Sequence, residues 1–264
     1  MTEAPRRALV GWSGFVGGAL QPRVRPVARF RSADVHELAG ADVDEIVCAG
    51  APAEKWKANA EPEQDWANMR RLIDALDASR ATSCVLVSTV DVYADSRGAD
   101  EDTPADTAQE QAYGRHRAQL EEFVTRRFED TLIVRLPGMF GPGLKKNLVF
   151  DLIHQPEARF AHEASSFQFY DVRDLWGHVL LARDAGLSVV NLATEPVTSA
   201  QVAEESFGVD YRCDDRQQVA YDLQTVHAPT LAGRDGHYLR SAGEVLAAVR
   251  AWGARERGAV TVTV

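Results

Sequence analysis

Three glycines, Gly11, Gly14 and Gly17, stand in the run ALVGWSGFVGGAL, directly after an apolar stretch and at the start of a helical pattern. G-x-x-G-x-x-G spacing at a strand-to-helix turn suits a pyrophosphate. The first glycine permits the tight turn, the next lets backbone amides approach the phosphates, and the third lets the helix pack on the sheet. The helix opens near Phe15 and Val16, and its free N–H groups and positive dipole end then face the anion. A glycine-rich turn without a ligand is the bland alternative, and the strand–turn–helix context argues against it. Where the second strand would end, the sequence offers Arg29, Phe30, Arg31 and Ser32. An NAD site usually places Asp or Glu there for the ribose 2′-hydroxyl. Two arginines suit a 2′-phosphate better, since guanidinium pairs with phosphate in a bidentate way. They favour NADP(H), with NAD(H) second, over a reading as two arginines exposed at a strand end.

That turn needs a strand before it and a helix after it. Residues 7–12, 44–49, 83–88 and 131–136 are short runs rich in Val, Ile and Leu, bounded by polar residues, and read as buried strands. Residues 24–31 form a weaker strand interrupted by Pro26, and 188–193 a later one. Between them, 66–78 and 112–128 carry apolar residues at helical spacing. The glycine-turn helix is expected to stop at Pro22. Strand and helix in alternation predict an α/β fold, a Rossmann-like doubly wound parallel sheet covered on both faces. Residues 1–142, with a returning segment near 166–196, are expected to form the dinucleotide-binding domain. Residues 143–264 are expected to be mainly a small C-terminal substrate-binding lobe. There, 199–207 reads as a helix with Ser199 as N-cap, and 241–252 as another. The alternating VTVTV end reads as an edge strand or a loose tail.

Composition narrows the function. Of 264 residues, 29 are Lys or Arg and 39 Asp or Glu, a net charge of −10 with no basic tract, which argues against nucleic-acid binding. A hydrophobic content of 45% is enough for a packed core and excludes wholesale disorder. No apolar run approaches the ~20 residues of a membrane span, and the first dozen residues lack a signal-peptide core. The reading is a cytoplasmic protein. Three separated cysteines, without CxxC or HExxH spacing, read as core thiols rather than metal ligands. An acidic chain that holds anions must concentrate positive charge locally. Arg29, Arg31, Arg117, Lys145 and Lys146 are the residues expected to line the cleft.

Further along stand STVDVY (residues 88–93), AYGRHR (112–117), VCAGAP (47–52), RLPGMFGPG (135–143) and FQFYDVRDL (167–175). With the glycine turn, their order and spacing resemble the extended short-chain dehydrogenase/reductase family. The likeness is to its NAD-dependent epimerase/dehydratases and to 4-keto-sugar reductases similar to dTDP-4-dehydrorhamnose reductase. The resemblance implies that Thr89 polarises the substrate oxygen and that Tyr113 gives or takes its proton. It places a lysine one helical turn after the tyrosine, where this chain has Arg117. A fixed positive charge near a phenol still favours phenolate, and arginine can donate to ribose hydroxyls, but its planar fork is not equivalent to an ammonium. The resemblance also brings Ala49, Gly50, Ala51, Pro137 and Gly138 close to the cofactor.

On the substrate side, Lys55 suits an anionic group and Trp56 a ring, though a surface loop is the plainer reading. Lys145, Lys146 and Asn147 suit a phosphate or carboxylate. Asp91 stands alone, with Val90 beside it, so the paired acids of dehydratase-like relatives are missing. Nucleotide-sugar members often have Arg where this chain has Phe167, leaving Gln168, Tyr170 or Arg173 to meet the ligand. The expected function is an NAD(P)-dependent reductase or epimerase acting on a keto or hydroxyl carbon of a sugar-like, anionic small molecule. The rival is a non-catalytic dinucleotide-binding sensor or scaffold. By analogy with the family, a homodimer through 66–78 and 112–128 is expected. The short chain and small lobe suggest a substrate smaller than a full nucleotide sugar.

Overall fold

In this computed structural model, residues 4–157 and 159–261 are described. The chain divides into two compact units. One comprises Met1–Asp95, Glu101–Leu136 and Asp174–Asn191, the other Ser96–Asp100, Pro137–Arg173 and Leu192–Val264.

The first unit is built on a parallel sheet. Its strands are β1 (Arg7–Val10), β2 (Ala28–Phe30), β3 (Glu45–Cys48), β4 (Ser83–Thr89), β5 (Asp130–Leu136) and a sixth, Val189–Asn191. They lie in the order β2–β1–β3–β4–β5–sixth, each parallel to its neighbour. Alternate residues are equally buried: Leu9, Val47 and Val85 are as covered as Val10, Ile46 and Cys84. A strand buried on both faces has no polar side, which is why these runs read as continuous Val, Ile and Leu. From β1 the chain goes one way to β2 and then back across to β3. This reversal opens a crevice at the carboxyl ends of β1 and β3.

Helices α1 (Phe15–Val24), α2 (Lys55–Ala60), α3 (Pro62–Asp77) and α4 (Ala112–Arg127) connect these strands, and a further helix, Leu175–Asp184, precedes the sixth. Met69, Leu72 and Leu76 of α3 share one core with Leu120 and Val124 of α4 and with Ala8, Ile46, Cys84 and Leu86 of the sheet. The helix α3 starts ahead of its periodic run, with Pro62 in the first turn, where a missing N–H is not needed. The expected stop at Pro22 does not occur: α1 runs through it to Val24. Pro22 removes one bond only two residues from the end, and burial of Leu20 and Val24 on either side offsets that cost.

Beneath the carboxyl end of the sheet lies a buried polar network. Arg135 of β5 donates to Glu121 of α4 from Nε (3.1 Å) and Nη2 (2.7 Å), and its Nη1 donates to the Tyr93 hydroxyl. Ser88 of β4 donates to Glu121, and Asn191 Nδ2 donates to Tyr93 at 3.0 Å. Arg135 and Glu121 are both buried, so each needs the other's charge.

The second unit has its own core of Phe140, Leu152, Phe169, Tyr211, Leu246 and Trp252. Two pairs of short strands join it, Gly138–Phe140 parallel to Phe169–Asp171 and Ser166–Phe167 antiparallel to Val197–Thr198. The N-cap is Thr198 rather than Ser199. Thr198 Oγ1 accepts from Gln201 N (3.1 Å), and Gln201 Oε1 accepts from Thr198 N (2.8 Å). The reciprocal box requires Gln or Glu three residues on, and only Thr198 has it. That helix (Ser199–Gln201) continues as a π-helix over Val202–Phe207. The last helix, Ala242–Thr261, opens on a similar box, Ser241 N and Oγ donating to Glu244 at 2.7 and 3.0 Å. It carries into the first two residues of the expected edge strand, Val260 and Thr261, because each added residue closes another helical bond. Val262, Thr263 and Val264 lie outside the described residues. Among the described residues, no helix is long and apolar enough to cross a membrane.

Replacing Glu121 by Ala leaves Arg135 buried without its counter-ion. Urea denaturation is expected to show a loss of about 3–5 kcal/mol; a loss below about 1 kcal/mol would mean the network does not carry the charge balance described.

Candidate active site

The glycine turn is shaped by three different contacts. Gly11 has φ +82°, and a Cβ there would sit 2.2 Å from the Ala49 carbonyl oxygen. A Cβ on Gly17 would sit 2.1 Å from the Gly11 oxygen. These two glycines are demanded by the fold itself. Gly14 is not: the nearest atom to its Cβ position is the Gly11 oxygen at 3.4 Å, an ordinary contact. Gly14 precedes Phe15, Val16 and Gly17, the first residues of α1, which has no side-chain cap and no acidic residue in its first turn. Bare backbone at an uncapped helix start is a cradle that a pyrophosphate fits. Gly50 follows Ala49 at the end of β3, where a Cβ would press on Val10 Cγ1 at 2.8 Å, and the half-buried Ala51 comes next.

Trp12, inside the turn, gathers the two arginines at the end of β2. The Arg29 and Arg31 guanidinium carbons lie 5.0 and 5.8 Å from its ring centroid. Arg31 also pairs with Asp34 at 3.4 Å, whose carboxyl its backbone N–H and guanidinium hold below the usual range. Arg29 has no carboxylate partner among the described residues.

Thr89 ends β4, and a short turn, Val90–Val92, carries Asp91 back toward it. Asp91 N donates to Thr89 Oγ1 (3.2 Å), and the Thr89 hydroxyl donates to Asp91 Oδ2 (3.3 Å). Lys55, at the start of α2, donates from Nζ to Asp91 Oδ1 at 2.6 Å. Tyr113 lies in the first turn of α4, its N–H donating to Asn59 Oδ1 at 2.9 Å, with the Thr89 side chain near enough to its phenol to favour the ionised form. Two residues make this approach possible. A Cβ on Gly114 would lie 2.0 Å from the Asp91 carbonyl oxygen. Gln109 Nε2 pins the turn by donating to the carbonyls of Asp91 (3.1 Å) and Val92 (3.0 Å). Burial pushes the Tyr113 phenol up. Arg117, Thr89 and Lys55 pull it down, Asp91 pushes it further up, and the net displacement is upward.

Arg117 is not poised over a ribose. It is buried, and its fork is taken by protein groups. Nη1 and Nη2 donate to Asp65 at 2.5 and 3.0 Å, Nη2 also to the Pro52 carbonyl (2.5 Å) and Nη1 to the Tyr113 carbonyl (3.2 Å). Its guanidinium carbon stands 4.0 Å from the Tyr113 ring centroid. Only Nε lacks a partner, and it is buried. His116 Nδ1 lies 2.8 Å from the same Asp65 carboxylate. This corrects two expectations. Arg117 neither lines a cleft with the other cations nor outweighs burial to bring Tyr113 toward phenolate. Burial raises the Asp65 carboxyl, but Arg117 and His116 together hold it below the usual range.

In the second unit, Pro137 is followed by Gly138, where a Cβ would lie 2.9 Å from the Gln168 carbonyl oxygen. Lys145 and Lys146 are exposed. Asn147, at φ +132°, caps the helix Leu148–His154, accepting from Phe150 N (3.1 Å) and donating to the Met139 carbonyl (2.7 Å). Gln168 is buried, its amide donating to the carbonyls of Thr194 and Leu223 (2.5 and 2.7 Å) and accepting from Leu223 N (2.8 Å). Its donors are both committed to backbone, so it ties strands together rather than offering itself to a ligand. In the first unit, Trp56 is 68% exposed beside Lys55. Among the described residues, no group of His, Cys, Asp and Glu could hold a metal ion.

Sequence reasoning missed Asp65, His116, Gln109 and Trp12. An acid in the first turn of a helix ordinarily complements the helix dipole, so nothing in the run PEQDW marks Asp65 as the partner of Arg117.

The sequence pattern of the NAD dependent epimerase/dehydratase family matches residues 8–193. No curated protein sequence matches the chain. Solved structures share the fold over nearly the whole chain. MoeE5 in complex with UDP-glucuronic acid and NAD is 17% identical, with a TM-score of 0.74 over 95% of this chain and 99% of that one. A dTDP-4-dehydrorhamnose reductase from Clostridium acetobutylicum is 14% identical, with a TM-score of 0.72 over 95% and 99%. A UDP-N-acetylglucosamine 4-epimerase from Bacillus cereus is 17% identical, with a TM-score of 0.69 over 96% and 100%.

Replacing Asp65 by Asn leaves the Arg117 charge buried and unmatched, and thermal or urea unfolding is expected to show a loss of about 3–5 kcal/mol at neutral pH. Because the folded-state pKa of Asp65 is depressed, its stabilisation is present above the unfolded carboxylate pKa and is lost as pH falls through the folded value. The gap between parent and variant should therefore narrow in acid. A gap that stays constant from neutral pH into acid would show that Asp65 is not ionised in the fold.

Proposed function

Because the chain belongs to the NAD dependent epimerase/dehydratase family, we propose that it is a dinucleotide-dependent oxidoreductase, a reductase or epimerase, acting on a keto or hydroxyl carbon of a sugar-like anionic metabolite. The observation that carries this reading is Thr89 at the carboxyl end of β4 with the Tyr113 helix packed through Gly114 on the turn that follows it, in the same sheet whose β1 turn leaves Gly14 bare. The backbone of Gly11–Gly17 would hold the pyrophosphate, with Ala49, Gly50 and Ala51 walling the crevice; Pro137 and Gly138 are cofactor contacts by the resemblance alone. Arg29, stacked on Trp12 without a carboxylate partner, supports NADP(H) over NAD(H). Bound there, the nicotinamide supplies hydride transfer.

The chain's own residues supply the proton chemistry. Thr89 donates to the reacting oxygen and orients it, and Tyr113 holds a proton against that oxygen. A phenol raised above its usual value of ~10 keeps this proton at neutral pH, which suits donation and hence carbonyl reduction. Arg117 fixes the Tyr113 ring and the Pro52 carbonyl. Trp56, Lys145 and Lys146 are candidate substrate contacts. The neighbours crystallised with UDP sugars make nucleotide sugars the first substrates to try, and Phe167 in place of the family's arginine leaves room for a smaller anion. A homodimer through α3 and α4 rests on the resemblance alone.

A second reading, a dinucleotide sensor without turnover, is favoured by one observation: the cation after Tyr113 is committed to Asp65. Fluorescence titration with NADPH and NADH, then oxidation of the bound nucleotide by a panel of keto sugars and nucleotide keto sugars, separates the two. Tighter NADPH binding and turnover that Tyr113→Phe lowers by 10²-fold or more, on the order expected for a lost general acid, support the enzyme. Turnover should hold through neutral pH and decline only as the raised phenol ionises. Undiminished turnover in Tyr113→Phe overturns the mechanism, and binding without turnover across the panel supports the sensor.

A further inference from the structure

The cation one turn after Tyr113 is the guanidinium of Arg117, a planar fork fixed in place by what it bonds. Its Nη donors are bound by Asp65, Pro52 and Tyr113. A lysine does stand in the cluster, delivered by a different segment. Lys55 meets Asp91 at 2.6 Å and Asp91 lies 3.3 Å from Thr89 Oγ1, while Gly114, next to Tyr113, packs directly on the Asp91 carbonyl. Both members of the pair are partly open to solvent, whereas Arg117 and Asp65 are not.

We propose that the Lys55–Asp91 ion pair is the charge control of the Tyr113 phenol, in the role the resemblance gives to a lysine at 117, and that Arg117 is a positioning residue. This inference rests on reading Tyr113 as the acid/base of the site. The charged groups that face Tyr113 are Arg117 from its own helix, Asp91 from the turn after β4 and Lys55 from α2. Asp65 and His116 act behind Arg117. An ammonium favours the phenolate and a carboxylate opposes it. Paired, they oppose each other at the phenol, the carboxylate with the larger effect. Removing either member exposes the other, so the two single variants must move Tyr113 in opposite directions. A pair that only braced the turn would not produce opposite signs.

The test is a titration that needs no substrate. Incorporating 3-fluorotyrosine makes the phenols acidic enough to titrate before the chain unfolds in alkali, and ¹⁹F NMR follows each one. The chain has six tyrosines, and the Tyr113 resonance is the one lost in Tyr113→Phe. Lys55→Met is expected to raise the Tyr113 midpoint by about one pH unit, a tenfold change in the ionisation constant. Asp91→Asn is expected to lower it by at least as much, the double variant to fall between the two single variants, and Lys55→Arg to keep the parent value. Unmoved midpoints in both single variants, or shifts of the same sign, overturn the proposal. Titrating the same proteins with NADPH and NADH keeps the two questions apart. Failure to bind either nucleotide overturns the proposed function, while the phenol midpoints still decide the role of Lys55 and Asp91.

Discussion

A guanidinium taken out of water must be met by a full negative charge and by acceptors for its remaining N–H groups. Arg117 meets that demand with Asp65 and with the carbonyls of Pro52 and Tyr113. The three partners come from three places: α3, the segment after β3, and α4 itself. One side chain thus fixes how the end of β3, the start of α3 and the tyrosine helix approach one another. Where the family resemblance puts a mobile ammonium, this chain has a structural rivet.

The second constraint is steric. Gly11, Gly17 and Gly114 each let backbone lie where a single added carbon would stand within about 2.2 Å of a carbonyl oxygen. The first two bring β1, the crevice and α1 together. The third lays the tyrosine helix on the turn that carries Asp91. Between them Gly14 meets no such crowding, its nearest neighbour being the Gly11 oxygen at 3.4 Å.

The central strands and the glycine turn were legible because their causes are local. A strand buried on both faces must be apolar throughout, and a turn that admits no Cβ must be glycine. Thr89 and Tyr113 became candidates only through resemblance, since a threonine ending a strand and a tyrosine opening a helix have plainer explanations. Asn147 and Gln168 were misread because an amide looks the same in sequence whether it faces a ligand or the backbone. Asp65 was missed because its partner lies 52 residues away, beyond any periodicity. The two- and three-residue strands of the second unit were missed because a run that short shows no period. The helix end at Pro22 was placed too early because propensity was weighed without the burial of Val24.

The sheet is assembled from pieces far apart in the chain. Its sixth strand, Val189–Asn191, pairs with β5 only after the long excursion through 137–173 into the second unit. During synthesis, the residues of β5 leave the ribosome more than fifty residues ahead of their partner. Until then β5 carries a row of unpaired N–H and C=O groups on one side, the kind of open edge that templates association between chains. Arg135, on that strand, must meanwhile find Glu121 before Asn191 arrives to complete the network around Tyr93. The discontinuous order of the chain makes the timing of its synthesis part of what the fold must survive, and neither unit corresponds to one continuous stretch that a gene truncation could liberate.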